Sequence, residues 1–352
     1  TLFPYTTLFR SVGSGLIGSS IGLALTAKGI GVTMVDIDPA AAKLAQDLMG
    51  STPSGKNQVT LVASPLSTVS EVIKSEIQQG LNLGFIDISS VKVKPVLEVS
   101  ALDLDMSYFL PSHPMAGREV GGAESARADL FQGRPWIIDS RGVRTELLEA
   151  GREIIEICGA HLIDMPAAEH DRAVALVSHL PQIMSSALAA TLEGAPAQWL
   201  DLAGTGLRDT TRIAASNPVL WREILVANQE SLTPLLDKVI EDLKNLQLSL
   251  SSHNAVDEFI KSGNRGRSMI PGKHGGVARN YTFLPVVIED KPGQLAALFD
   301  ECASAQVNVE DLTIEHSPEQ YTGLITLALS KDDAEKLYRH LLAQGWSAHS
   351  PR

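Results

Sequence analysis

The chain has 352 residues, of which 44% are hydrophobic and 20% charged, and a formal net charge of −12 at pH 7. That length exceeds one compact core and predicts two or three domains, with the composition of an ordinary soluble globular protein. The acidic balance argues against nucleic acid or an anionic membrane as partner, so an anionic substrate must meet locally placed cations.

The sequence holds no run of about 18 consecutive apolar residues, and no transmembrane helix is expected. Cys158 and Cys302 fall in different predicted domains and form neither a disulfide framework nor a zinc pattern. Such sparse thiols fit a reducing cytoplasm. Residues 1–11 (TLFPYTTLFRS) lack an initiator Met and the marks of a signal peptide, and are expected to be foreign sequence overwriting a native strand. Thr7–Val12 still alternates well enough to fill a first strand position.

From Val12 to about Pro166, strand and helix patterns alternate. Strands are predicted at 32–36, 59–63, 83–88, 108–111 and 136–138, with a helix opening at Asp38-Pro39. This predicts a mainly parallel, doubly wound sheet in a domain spanning 1–166. From Ala167 to 262 only helical patterns remain, and Pro181 is expected to kink or end one of them. Leu220, Ile224, Leu225, Leu232, Leu235, Leu236, Val239 and Leu243 form an apolar stripe, read as core with part of it burying a homodimer interface. Residues 263–280 read as a Gly-rich basic linker. Residues 281–352 read as a βαββαβ sandwich, with strands at 282–288, 307–314 and 323–329 and near Trp346, helices at 293–305 and 332–343, and a turn at 317–320.

Three motifs carry chemistry. Gly13-Ser14-Gly15-Leu16-Ile17-Gly18 has the spacing of a dinucleotide fingerprint: Gly13 for the tight turn, Gly15 for close approach of pyrophosphate, Gly18 for helix–strand packing. The helix N-terminus there offers free N–H groups to phosphate. Asp36 closes the next strand, where a carboxylate binds the ribose hydroxyls of NAD and repels a 2′-phosphate, while Asp38 is better placed to cap the following helix. The second motif is Ser112-His113-Pro114-Met115-Ala116-Gly117, with His113 at the carboxyl edge of the sheet. The third is Gly204–Ala214 with Arg212, a guanidinium suited to a carboxylate. His170 and His179, nine residues apart, fall on opposite faces of a regular helix, and no metal site is expected.

In order and wording these motifs resemble the prephenate dehydrogenase family from about Val12 onward, and the tail resembles an ACT domain, opening at Asp290-Lys291-Pro292-Gly293. The resemblance implies an α/β Rossmann-type domain, an all-helical dimerisation domain and a C-terminal ACT domain. It implies NAD-dependent oxidative decarboxylation of prephenate to 4-hydroxyphenylpyruvate, in tyrosine biosynthesis. By the same match His113 accepts the proton of the ring hydroxyl, Ser90 orients that histidine, and Arg212 binds a substrate carboxylate. Glu119 is a matching active-site acid, and His179 and Gln182 share a helix face toward the substrate. Gln182 stands where many members carry a second His, which leaves open arogenate dehydrogenase, the same chemistry on the amino analogue. The ACT resemblance implies an amino-acid effector, tyrosine, near Asp290, Gly293 and Asn308. A non-catalytic NAD and amino-acid sensor is the reading from another class.

Overall fold

The computed structural model describes residues 8–50, 59–78, 84–118, 120–270, 281–315 and 321–352. They fall into two compact units, Thr1–Asp242 and Leu243–Arg352. Glu119, the expected turn at 317–320 and linker residues 271–280 lie outside the described residues.

The first unit opens with β1 (Leu8–Val12), α1 (Leu16–Thr26), β2 (Gly31–Val35), α2 (Pro39–Met49) and β3 (Val59–Val62). It continues through α3 (Val69–Gln78), β4 (Gly84–Asp87), α4 (Val93–Ser100), β5 (Phe109–Pro114), β6 (Pro135–Ile138), α5 (Thr145–Ile157) and β7 (His161–Asp164). The strands form one sheet in the order β2-β1-β3-β4-β5-β6-β7, parallel throughout except between β5 and β6. The alternation of Leu8–Val12 does fill the first strand position: Phe9 is fully buried, and Arg10 reaches Glu76 at 2.9 Å. β7 was not anticipated, because its four residues are all exposed at the sheet edge and carry no burial period.

Apolar side chains cover both faces of the sheet. Ile21, Leu25, Trp136 and Ile154 pack with Phe9, Leu61, Ile86 and Leu110 on one side, and Val69, Ile73 and Val99 with Val62, Phe85 and Phe109 on the other. The neighbouring strands β1 and β3 flank a reversal of winding direction, so a crevice opens at their carboxyl ends, the position where such sheets hold ligands.

The helical part of the unit begins with α6 (Ala167–Val174), passes through a π-helical turn at Ala175–His179, and continues as α7 (Leu180–Ala190). Pro181 therefore does not end the helix: it falls two residues after the π turn, so the N–H it lacks is a bond missing at the place where the regular α ladder is already interrupted. By length and composition alone the stretch Ala167–Ala190 is long and apolar enough to cross a membrane, although it contains no unbroken apolar run of such length. It also buries His170, Asp171, His179 and Gln182, whose hydrogen bonds are made within the unit. Then come α8 (Ala197–Leu200), α9 (Thr205–Thr211), α10 (Pro218–Ala227) and α11 (Gln229–Leu248). The apolar stripe is thus interrupted by Asn228, between two helices. Ile224 and Leu232 are buried, whereas Leu220 and Leu243 are exposed. Ile224 packs with Leu66 and Val91, fastening α10 to the loops at the sheet's carboxyl edge.

The division between units falls inside α11. The second unit contains α12 (His253–Ser268), which runs past the expected linker start at 263, then β8 (Thr282–Glu289), α13 (Gln294–Ser304), β9 (Asp311–Glu315), β10 (Thr322–Leu329), α14 (Lys331–Ala343) and β11 (Ser347–Ala348). The strand order is β11-β8-β10-β9, antiparallel throughout, the βαββαβ arrangement expected. Residues 307–310, expected within the second strand, precede it. Helix α13 follows Gly293, whose φ of +90° suits a residue without Cβ.

Candidate active site

The fingerprint glycines divide by what surrounds them. A Cβ on Gly13, at φ +109°, would collide with the Ala63 carbonyl, and one on Gly18 would collide with the Gly13 carbonyl. Both close approaches hold α1 against β1 and β3. A Cβ on Gly15 would meet nothing within 4 Å, so the space above it is open. Gly15 begins α1, and no side chain caps the helix there, leaving the first amides, followed by Leu16 and Ile17, directed at that space. An open cradle of free amides at a helix N-terminus fits a dinucleotide pyrophosphate. Asp36 lies at the end of β2 and ties the loop down by accepting from the Ser14 amide at 2.7 Å. The cap of α2 is Asp38, which accepts from the Ala40 amide at 2.9 Å, as the sequence suggested.

His113 stands on β5 at the same sheet edge. The strand is locked from inside: the Ser112 hydroxyl donates to the Asp87 carbonyl at 2.8 Å and accepts from the Trp136 indole at 3.2 Å. The Lys92 ammonium, fully buried, pairs with the Asp87 carboxylate and donates to Ser89 Oγ at 3.1 Å and to the Ser112 carbonyl at 2.5 Å. Burial pushes the Lys92 ammonium below its usual range against the pull of Asp87 and Asp171. Asp171, on α6, accepts from the backbone amides of Lys92 and Val93, each at 2.8 Å, one on each carboxylate oxygen. A carboxylate thus sits at the N-terminus of α4, where the helix dipole favours it.

His113 Nδ1 lies 2.8 Å from His170 Nε2, and His170 Nδ1 lies 2.7 Å from Asp171 Oδ1. Burial, then the neighbouring His170, Lys92 and His179, hold His113 well below the ordinary imidazole range. It is therefore neutral near pH 7 and able to accept a proton. Ser90 makes no hydrogen bond to His113; the orienting contact expected of it is made by His170, because Nδ1 of the ring points toward α6 rather than toward the loop after β4. His179 is on the same side of the helix as His170, not opposite it. The π turn between them carries more residues per turn than an α-helix and so rotates the register. The Asn228 amide links the two levels, donating to the Asp171 carbonyl at 2.7 Å and lying 3.1 Å from His179 Nδ1.

Gln182 is buried, and its amide donates to Ser216 Oγ at 2.8 Å and Ser186 Oγ at 3.2 Å. The first bond joins α7 to the segment just after the short 3-10 turn Arg212–Ala214, and that turn itself packs on α7. Arg212 is thereby placed beside the helix that carries His179 and Gln182, with its side chain exposed. The structure thus gathers His113, His179 and Gln182 with their supports. His170 and Asp171 stand in the Glu169-His170-Asp171 stretch that resembles the family's helical active-site segment, but neither takes a role from sequence, and Asn228 was not singled out at all. Among the described residues no group of three or more His, Cys, Asp or Glu is arranged to hold a metal ion.

Residues 21–164 match the family model "Prephenate dehydrogenase, nucleotide-binding domain" and residues 166–262 the model "Prephenate dehydrogenase, dimerization domain". The chain is 31% identical to "Probable prephenate dehydrogenase NovF" of Streptomyces niveus, covering 96% of this chain and 98% of that one. It is 26% identical to the prephenate dehydrogenase of Bacillus subtilis, covering 92% of each. Among solved structures, prephenate dehydrogenase from A. aeolicus in complex with hydroxyphenyl propionate and NAD+ superposes with a TM-score of 0.66 at 25% identity. That match covers 76% of this chain and 99% of that one. Synechocystis arogenate dehydrogenase superposes with a TM-score of 0.63, also at 25% identity, covering 74% and 99%. With a dinucleotide cradle and a neutral histidine on one sheet edge, and relatives that match it almost end to end, the chain belongs to the prephenate dehydrogenase family.

Proposed function

We propose that this protein is an NAD-dependent prephenate dehydrogenase that releases 4-hydroxyphenylpyruvate and carbon dioxide. The observation that carries the residue-level reading is His113: a neutral imidazole on the edge that also holds the glycine cradle, its Nδ1 already engaged and its Nε2 left for substrate. NAD, when bound, supplies the hydride acceptor. The chain's own part is to bind, orient and move one proton. Nε2 of His113 takes the proton of the ring hydroxyl as hydride leaves the same carbon. The bond to the ring carboxylate then breaks, carbon dioxide departs, and its electron pair completes the aromatic ring. The phenolate oxygen recovers the proton. Aromatisation drives the sequence forward, so no further activation is asked of the protein.

In this reading Arg212 grips a substrate carboxylate, and His179, Gln182 and Glu119 complete the pocket around the side chain. Asp36 holds the ribose hydroxyls. Ser90, half-buried at the end of β4, is left to meet the substrate rather than the histidine. The exposed part of the stripe, Leu220 and Leu243 with Val219, Val226 and Ile240, favours a homodimer. The C-terminal βαββαβ unit is read as an ACT domain answering to tyrosine through Asp290, Gly293 and Asn308.

Gln182 favours a second reading for the substrate. Its amide carries no charge and is committed to Ser186 and Ser216, so it offers no cation toward the side-chain carboxylate, and arogenate remains the competing substrate. Parallel assays of NADH formation from prephenate and arogenate, with NAD and with NADP, test both. Turnover of prephenate with NAD at the higher kcat/KM is expected. Preference for arogenate would transfer the assignment to the amino analogue.

A further inference from the structure

We propose that His170 and Asp171 form with His113 a two-histidine relay that stores the substrate's proton between hydride departure and loss of carbon dioxide. The proposal rests on the reading of His113 as the base. It goes beyond that reading by assigning a role to two side chains that touch no substrate.

The relay gives each bond a direction. Asp171 accepts two backbone amides, one on each oxygen, and so acts as an ionised acceptor. His170 Nδ1, 2.7 Å from Asp171 Oδ1, is therefore the donor to it. In the resting state of the relay the other nitrogen of His170, Nε2, holds the lone pair, and His113 Nδ1 at 2.8 Å donates to it. That leaves the lone pair of His113 on Nε2, where a base is needed. The two rings meet edge to face, with centroids 5.0 Å apart and planes at 73°. His170 and Asp171 are 1% and 2% exposed, so bulk water does not take part.

Charge balance points the same way. The groups facing the pair are Asp87 from the end of β4, Lys92 just before α4, Asp171 on α6, His179 on the π turn and the neutral amide of Asn228. Lys92 and Asp87 cancel each other as a buried ion pair. One carboxylate, Asp171, remains for three neutral imidazoles, so the cluster reaches neutrality on taking up one proton. When the hydroxyl proton arrives on His113 Nε2, the Nδ1 proton passes to His170 Nε2. His113 is again neutral, and the positive charge sits on His170 beside Asp171. The return is the reverse: His170 gives its Nε2 proton back to His113 Nδ1, and His113 Nε2 delivers one to the phenolate oxygen. No proton is lost or gained over the cycle.

The test compares full-length wild type with His113→Asn, His170→Gln and His170→Leu, using kcat–pH profiles with prephenate and NAD and ¹⁵N spectra of histidine-labelled protein. Wild type should show His113 protonated on Nδ1 and not on Nε2. His170→Leu should lose roughly 10²-fold in kcat with KM little changed, its acid limb moving to lower pH because the carboxylate-backed proton site is gone. His170→Gln should be intermediate in kcat, since its carbonyl still accepts from Nδ1, yet show the same moved limb, since an amide binds no proton. If His170→Leu fails to fold, His170→Gln and the wild-type tautomer decide. Wild-type kcat and an unmoved limb in the His170 variants, with His113→Asn inactive, overturn the relay and leave the base in place. Wild-type turnover in His113→Asn overturns the base itself. An Nε2-protonated His113 in the resting enzyme also overturns the relay.

Discussion

Asn228 Nδ2 donates to the Asp171 carbonyl at 2.7 Å and lies 3.1 Å from His179 Nδ1, so one amide fixes both the spacing of two site side chains and the tautomer of the histidine. An amide nitrogen has no lone pair to give, so Nδ1 must accept and the ring proton must sit on Nε2. Burial pushes His179 down to about 4 from the ordinary 6.5, against the pull of Asp171 and with help from His170.

That depression has a consequence for stability. Between pH 6.5 and about 4 the unfolded chain binds a proton at this residue and the native one does not, so stability falls as pH falls through this window. The loss is on the order of 3 kcal/mol at its full extent. Thermal unfolding followed from pH 7 to pH 4 should show a steeper decline of Tm for wild type than for His179→Asn. Parallel curves would remove His179 as the cause.

Lys92 and Asp87 are both fully buried, and the pair reaches the Ser112 carbonyl next to His113. Lys92→Met keeps much of the volume but strands the Asp87 carboxylate. Breaking such a pair costs about 3–5 kcal/mol, and a denaturant titration should find that loss. A change below about 1 kcal/mol, the scale of an exposed pair, would show that the ammonium contributes nothing to holding the strand ends.

Arg212→Ala should act chiefly on KM for prephenate, because it removes a charge-assisted contact made in ground state and transition state alike. Steady-state kinetics on a variant of native circular dichroism give the answer. An unchanged KM would put Arg212 outside the substrate pocket.

Asp36 should confer a strong preference for NAD, and Asp36→Ser should narrow it by relieving repulsion of a 2′-phosphate. The ratio of kcat/KM for the two cofactors is the measurement. Equal efficiency of wild type with NADP would overturn the role given to Asp36.

Tyrosine should inhibit the full-length protein through the C-terminal unit, with a coupling of about 1–3 kcal/mol. Asn308→Ala should weaken the response without altering turnover in tyrosine's absence. Inhibition of equal strength in both proteins, competitive with prephenate, would mean that tyrosine acts as a product-like ligand at His113.

The local features were the legible ones. Gly13 and Gly18 were readable because close backbone approach admits only glycine, and the Asp36/Asp38 division because a capping residue has a fixed place before Pro39. The supports of His113 were not readable in the same way. His170 lies 57 residues from His113, and its adjacency to Asp171 on a helix gives no hint that both turn inward. Asn228 was hidden in an apolar stripe, where a polar residue looks like a helix joint. His179 was assigned to the wrong face because a regular period of 3.6 was assumed across Ala175–His179. Edge strand β7 offered too little burial to be seen.

The π turn makes the helix from Ala167 to Ala190 behave like a key with two sets of teeth cut at different angles. Before it, His170 and Asp171 are set by one phase, and after it His179 and Gln182 by another. Shortening the turn by a single residue would leave an unbroken α-helix of nearly the same length and hydropathy. The second pair would then be swung by about 100° per residue away from Asn228 and Ser216. The helix is needed for the fold, but the extra residue is needed only for the site. In aligning this chain with its relatives, a one-residue gap at Ala175–His179 is therefore a change of active-site geometry rather than a detail of helix length.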